Sequence, residues 1–184
     1  MSSLAGQRIV VTRDQRGSGE FADLLRTMGA DPVIAPLFEL VLSDHRGAID
    51  QALRDLETYD WILFTSPNAV RFFCEAGAAP RHPRICAIGP ATKLAVEERG
   101  MRVDLMPSEY VAEGVVAAFA AQDLPGQRVL LPRAAVARDL VPDALTALGA
   151  SVDVVEVYRN LLPEQAPQDL SRALTGPPPP DWIT

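Results

Sequence analysis

The stretch "YDWILFTSPNAV", residues 59–70, runs four apolar residues together, then two hydroxyls, then a proline. A run this short and unbroken suits a parallel strand covered on both faces, since a half-exposed strand would alternate apolar with polar. Pro67 fits the first position of a helix, where its missing N–H costs nothing and its fixed φ is already helical. Ser66 before it is a good N-cap by residue type. Strand, turn and helix start follow one another within twelve residues, which is how an α/β protein is built.

The same pattern extends along the chain. Strand candidates are 8–13 ("RIVVTR"), 31–40, 61–66, 84–89 ("RICAIG"), 102–106, 128–133 ("RVLLPR") and 152–160, most of them near-continuous apolar runs. Amphipathic stretches at 20–29, 48–59, 90–100 and 138–149 lie between them, and Gly29, Gly100 and Gly149 each stand just before the next strand. Glycine there supplies the left-handed residue that ends a helix.

A repeat organises these elements. Arg8 and Arg128, Arg13 and Arg133, Gly29 and Gly149, and Ala30 and Ala150 are all 120 residues apart, and "DWI" at 60 returns at 181. The first unit runs from 8 to 127 and the second from 128 to 184, leaving the second about half as long as the first. The chain is therefore expected to stop inside the second copy of the 61–66 strand, with its first domain incomplete at the C-terminus. The segments 31–42 and 151–160 hold equivalent places in the two units and are long for strands. Each could finish one domain's sheet and cross into the other, making a two-strand linker.

Composition narrows the functional classes. A net charge of −7 argues against general nucleic-acid binding, which wants a basic face. The only cysteines, Cys74 and Cys86, fall in a helix and a strand as buried small hydrophobes, and the only histidines are His45 and His82. None has zinc spacing and no disulfide framework is suggested. His45, beside Asp44, is expected in solvent. No apolar run approaches the roughly 20 residues that span a bilayer, and the N-terminus lacks a secretory core, so a soluble cytoplasmic protein is expected.

Ligands of parallel α/β sheets bind beyond the carboxyl ends of the strands. Thr65 and Ser66 fall there, followed by Asn68 in the first helical turn. In "IGPATKLA", Gly89 ends a strand, Pro90 opens a helix and Thr92 lies in its first turn. Exposed N–H groups at two such helix starts would make an anion site, although capping alone also accounts for these residues. Arg13 and Arg133 end equivalent strands and could face one another across a cleft, with Arg138 shortly after. Their guanidinium groups suit carboxylates, whereas singly each could be a solvated surface residue. Tyr158, whose repeat partner is Phe38, could pack or could donate a proton. The turn at Gly89 lacks the three glycines of a dinucleotide fingerprint, and no phosphate-loop "GK[ST]" is present. A receiver-type domain would need clustered acidic residues where the strand ends carry Arg13, Ser66, Gly89 and Arg133.

"RIVVTR", "YDWILFTSPNAVRFF", "ICAIGPATKLAVEERG", "RVLLPRAAVARDLVPDALTALGASVDVVEVYRN" and "PDWIT", in this order and spacing, resemble the uroporphyrinogen-III synthase family. The resemblance covers nearly every element. It implies two similar parallel-sheet α/β domains joined by two strands, with the active site in the cleft between them. One domain would comprise 1–34 and 161–184, the other 43–154, with linkers at 35–42 and 155–160. It implies cyclisation of hydroxymethylbilane to uroporphyrinogen III with inversion of ring D, by a monomer when complete, with no metal and no organic cofactor. By similarity Tyr158 is the residue that assists the departing hydroxyl, and Thr65, Ser66, Thr92 and Arg138 line the cleft. Arg13, Asn68, Gly89 and Arg133 complete the substrate-binding candidates. A non-catalytic tetrapyrrole-binding or partner module is the alternative.

Overall fold

The computed structural model describes residues 4–135 and 140–184. In chain order the elements begin with β1 (Arg8–Val11), α1 (Gln15–Thr27), β2 (Asp31–Ile34), β3 (Glu39–Leu42) and α2 (Arg46–Arg54). There follow β4 (Trp61–Phe64), α3 (Pro67–Glu75), β5 (Arg84–Ala87), α4 (Pro90–Glu97) and α5 (Ala112–Ala120). The last are β6 (Arg128–Ala134), α6 (Leu140–Ala147), β7 (Ser151–Leu161), α7 (Ala166–Thr175) and β8 (Trp182–Ile183). One sheet has the order β2-β1-β8 and the other β3-β7-β6-β4-β5. The pairs β1–β2, β1–β8, β4–β5, β4–β6 and β6–β7 are all parallel. The fold class is α/β, as the near-continuous apolar runs require.

The chain divides into two compact units, Met1–Val41 with Asn160–Thr184, and Leu42–Arg159. In the first, Ile9 and Val11 of β1 pack with Leu25 and Phe21 of α1. Val10 points to the opposite face and meets Ala35 with Ala173 and Leu170 of α7. Period-two geometry thus explains why "IVV" is apolar throughout: each face of β1 has its own helix to cover it.

The second unit uses the same rule. Trp61 and Leu63 of β4 join Val115 and Phe119 of α5 and Leu145 of α6 in one cluster. Phe64, of opposite parity, meets Phe73 of α3 edge to face with ring centroids 5.8 Å apart. All four residues of β4 are buried.

The repeat is matched bond for bond. The N–H of Arg8 donates to Asp181 and that of Arg128 to Asp60, both at 2.8 Å. The indole N–H of Trp182 reaches Gln7 and that of Trp61 reaches Gln127, both at 2.9 Å. Gly29 and Gly149 have φ of 88° and 93°. A Cβ on Gly29 would stand 3.1 Å from the Ala5 Cα, and one on Gly149 3.1 Å from the Pro125 Cα. Left-handed backbone and close approach both demand glycine, so Gly149→Ala is expected to cost about 1–2 kcal/mol. A lowered urea midpoint at unchanged slope is the result that checks it.

Several sequence expectations change. The 31–40 strand is two strands, β2 and β3, with 35–38 between them. Pro36 has no N–H to continue the ladder, and the chain leaves β1 after the Leu37 N–H meets the Thr12 carbonyl. Segment 102–106 is not a strand: only Leu105 bridges to Cys86, and the Asp104 side chain takes the Ile85 N–H instead. Helix α1 begins at Gln15 rather than 20, because Asp14 accepts from the N–H groups of Arg16 and Gly17. Helices α5 and α7 are additional to the stretches singled out from the sequence. No helix of the described residues is long and apolar enough to cross a membrane.

Candidate functional site

Strand β4 is held between β5 and β6, and its chain turns out of the sheet at Thr65 and Ser66 to start α3. Ser66 is the N-cap in extended conformation, its Oγ accepting from the Ala69 N–H at 3.1 Å, with Pro67 opening the helix. The turn chemistry proposed from the residue types is what forms. Thr65 is exposed and Asn68 half-buried in the first turn.

Tyr158 reaches this turn from β7. The pairing of β6 with β7 shifts between Arg133 and Ala134, so that Ala134 stands opposite Tyr158. The Tyr158 hydroxyl lies 3.4 Å from the Ser66 Oγ, where either oxygen can donate. That is long for a hydroxyl pair, leaving room for a third partner to draw one of the hydrogens away. The Tyr158 ring stacks on Phe72 of α3, centroids 5.1 Å apart and planes 14° from parallel. Ring position is thereby set by packing while the hydroxyl stays at the turn. The Arg71 guanidinium lies 4.1 Å from the Phe72 centroid.

A second helix start lies nearby in the fold. The Ile88 N–H donates to the Phe64 carbonyl, tying the end of β5 to the end of β4. Gly89, with φ of 84°, then caps α4, and Pro90 opens it. Thr92, one turn into α4, is 2% exposed. The positive φ of Gly89 is what calls for glycine in this turn, since a Cβ there would meet the Tyr110 ring at an ordinary contact distance of 3.6 Å.

The structure joins Ser66 and Tyr158 directly, and α4 carries Gly89 and Thr92 beside α3. Arg133 is half-buried in β6, its backbone opposite Glu156. Arg13 belongs to the other unit, exposed after β1, its guanidinium 5.9 Å from the Phe21 ring. Arg138 lies outside the described residues. Phe72, Arg71 and Tyr110 are neighbours of the turns that sequence reasoning did not single out. A neighbouring phenylalanine, Phe73, offered the same residue type, and nothing local to α3 says which ring would face Tyr158.

Other titratable groups are used structurally. Burial first, then a 2.8 Å bond to Asp153, pushes the Tyr59 phenol well above its ordinary range. Arg128 binds the same carboxylate at 2.9 Å and lies over the Tyr59 ring. Burial pushes the Cys86 thiol up to about 12. Cys74 is also raised by burial, with Arg99 opposing, but it is half-buried rather than buried as expected. His45 is largely exposed, its Nδ1 3.5 Å from Glu156. Among the described residues no group of three His, Cys, Asp or Glu could hold a metal ion. A cavity of about 500 Å³ in the first unit is lined by Gln15, Phe38, Glu39, Glu164 and Asp169 among others. Its three carboxylates make it a poor host for an anionic ligand.

The family model "Uroporphyrinogen-III synthase HemD" matches residues 19–184. A Methanothermobacter thermautotrophicus protein of the same family name is 34% identical over 161 residues, 85% of this chain and 63% of the relative. The Synechococcus elongatus uroporphyrinogen-III synthase is 32% identical over 178 residues, 93% of this chain and 67% of the relative. The chain thus spans about two thirds of the length of these curated relatives. A Thermus thermophilus uroporphyrinogen III synthase structure shares the fold with a TM-score of 0.65 at 21% identity, over 92% of this chain and 68% of that one. On a match that takes in β2 through β8 and relatives at a third identity, this chain belongs to the uroporphyrinogen-III synthase family.

Proposed function

We propose that the chain serves the cyclisation of hydroxymethylbilane to uroporphyrinogen III with inversion of ring D. The observation that carries the reading is the Tyr158 hydroxyl held 3.4 Å from Ser66 at the start of α3. Loss of the substrate's terminal hydroxyl breaks a C–O bond, and a proton must arrive as water departs. Tyr158 is the donor in this reading, its ring fixed by Phe72 and its hydroxyl free to turn from Ser66 to the leaving oxygen. The azafulvene left behind attacks the substituted carbon of ring D. The spiro intermediate then fragments and recloses with that ring reversed, and a ring proton is finally lost.

The substrate's acetate and propionate groups call for N–H donors and guanidinium groups. Thr65, Ser66, Asn68, Gly89 and Thr92, at the starts of α3 and α4, are the proposed substrate-binding set, with Arg13, Arg133 and Arg138 as carboxylate contacts. The domain assignment 1–34 with 161–184, 43–154, and linkers 35–42 and 155–160 is supported by compact units that change over within β3 and β7. A cytoplasmic setting and a monomeric enzyme belong to the same proposal; the free thiols Cys74 and Cys86 suit a reducing compartment.

The test is the isomer ratio. Freshly made hydroxymethylbilane is incubated with the protein, the products are oxidised, and isomers I and III are separated by chromatography. Isomer III above the spontaneous background is expected. Isomer I alone overturns the reading.

A further inference from the structure

Among the described residues nothing accepts a hydrogen bond from the buried Nε of Arg71, whose side chain is 19% exposed. Its nearest carboxylate, Glu75 Oε1, lies 4.0 Å from that nitrogen, beyond hydrogen-bond reach. What holds the guanidinium is the Phe72 ring, 4.1 Å from its central carbon. Two other arginines of this unit also lie over rings, and they differ from Arg71 in one respect. Arg84, over Trp61, donates to Gln127 at 3.1 Å. Arg128, over Tyr59, donates to Thr58 and Asp153 at 2.6 and 2.9 Å. Arg159 also has a buried, unpaired Nε, but its Nη2 reaches Asp44 at 2.6 Å.

Of the five N–H donors that a guanidinium carries in a fixed fork, the Arg71 Nε–H is the one buried without a partner, and leaving a buried donor unsatisfied is costly. Where a protein holds such a group in place with an aromatic face and a carboxylate too far off to accept its hydrogen, a ligand acceptor is the economical account. The fork matches a carboxylate in two parallel bonds. The ring that carries it, Phe72, is the ring on which Tyr158 stacks. We infer that Arg71 is a carboxylate-binding residue, gripping one acetate or propionate group of a tetrapyrrole beside the Phe72–Tyr158 stack. The inference rests on the function proposed above and adds to it a named anchor for the substrate's charge.

The experiment is a fluorescence titration of wild type, Arg71→Gln and Arg71→Lys with uroporphyrin III and with its octamethyl ester. Uroporphyrin III keeps the acetate and propionate groups, and the ester masks them. Wild type is expected to bind the acid and to bind the ester far more weakly. Arg71→Gln is expected to weaken binding of the acid about tenfold or more, with Arg71→Lys recovering part of the loss. The melting temperature of Arg71→Gln should stay level or rise, since a buried unsatisfied donor is removed and only a long, part-exposed ion pair to Glu75 is lost, whereas a structural arginine would lower it. Equal affinity of Arg71→Gln and wild type overturns the grip and leaves the family function standing. Equal affinity for acid and ester also overturns it. Failure of wild type to bind the acid overturns the tetrapyrrole reading and the grip together. In wild type itself, the Nε–Hε resonance that vanishes in Arg71→Lys should move when uroporphyrin III is added; an unmoved resonance overturns the grip without relying on a folded Gln variant.

Discussion

Tyr158→Phe should cut the rate of isomer III formation by about 10²-fold or more, the usual contribution of a positioned proton donor. The substitution removes one oxygen and keeps the ring, so the stack on Phe72 at 5.1 Å survives. Ser66 loses a partner 3.4 Å away but still caps α3 through the Ala69 N–H at 3.1 Å. Stability should therefore change by less than about 1 kcal/mol, since only a long, half-buried contact is lost. The rate should fall with KM nearly constant, because in the proposed role the missing group acts when the hydroxyl departs and not when the substrate binds. Initial rates and isomer ratios measured together check this. A variant within threefold of wild type would make Tyr158 a packing residue, and its hydroxyl would then have no part in the departure of water.

The parts of this fold that were legible in the sequence are those fixed by local chemistry. Unbroken apolar runs marked β1, β4, β5 and β6 because both faces of those strands are covered. Pro67 after Ser66 and Pro90 after Gly89 marked two helix starts because the N-cap rules are local. The repeat told more than any single motif, since Gly29 and Gly149 have the same left-handed backbone against the same kind of neighbour. Helix α5 was harder to see: "AEGVVAAFA" is small and apolar almost all round, so it has no polar face to set a period. The site was legible only to the ends of its strands. That Tyr158 meets Ser66, and that Phe72 rather than Phe73 receives its ring, depends on the register of β7 beside β6 and the shift at Arg133. Arg71 was hidden by its spacing. Four residues before Glu75 it reads as half of an ordinary helix-surface ion pair, and in the fold that pair is long, at 4.0 Å, while the guanidinium lies half-buried over an aromatic ring.

Phe119→Ala should cost about 3–5 kcal/mol, a large part of the roughly 5–15 kcal/mol that stabilises a domain. Phe119 is fully buried and meets Trp61 edge to face, centroids 5.2 Å apart. Its helix has little else to hold it. The N-cap of α5 is Val111, with no side-chain hydrogen bond, and the helix is only nine residues long, too short to persist alone. Gly114 within it packs closely on Glu109, where a Cβ would stand 2.2 Å from the carbonyl oxygen, but it brings no side chain to the core. The remaining anchor is Val115, which buries far less surface than the lost ring. The cavity opens beside Trp61, whereas the indole N–H keeps Gln127 at 2.9 Å and Arg84 stays 4.0 Å from the ring centroid. Urea unfolding followed by tryptophan emission should therefore show a much lower midpoint from a start that is already slightly red-shifted. Phe119→Leu, which keeps most of the volume, should lose less than half as much. A loss under about 1 kcal/mol for the alanine variant would mean that α5 closes over the gap, and the packing of β4 against α5 would then not be what fixes the strand from which the Ser66 turn departs.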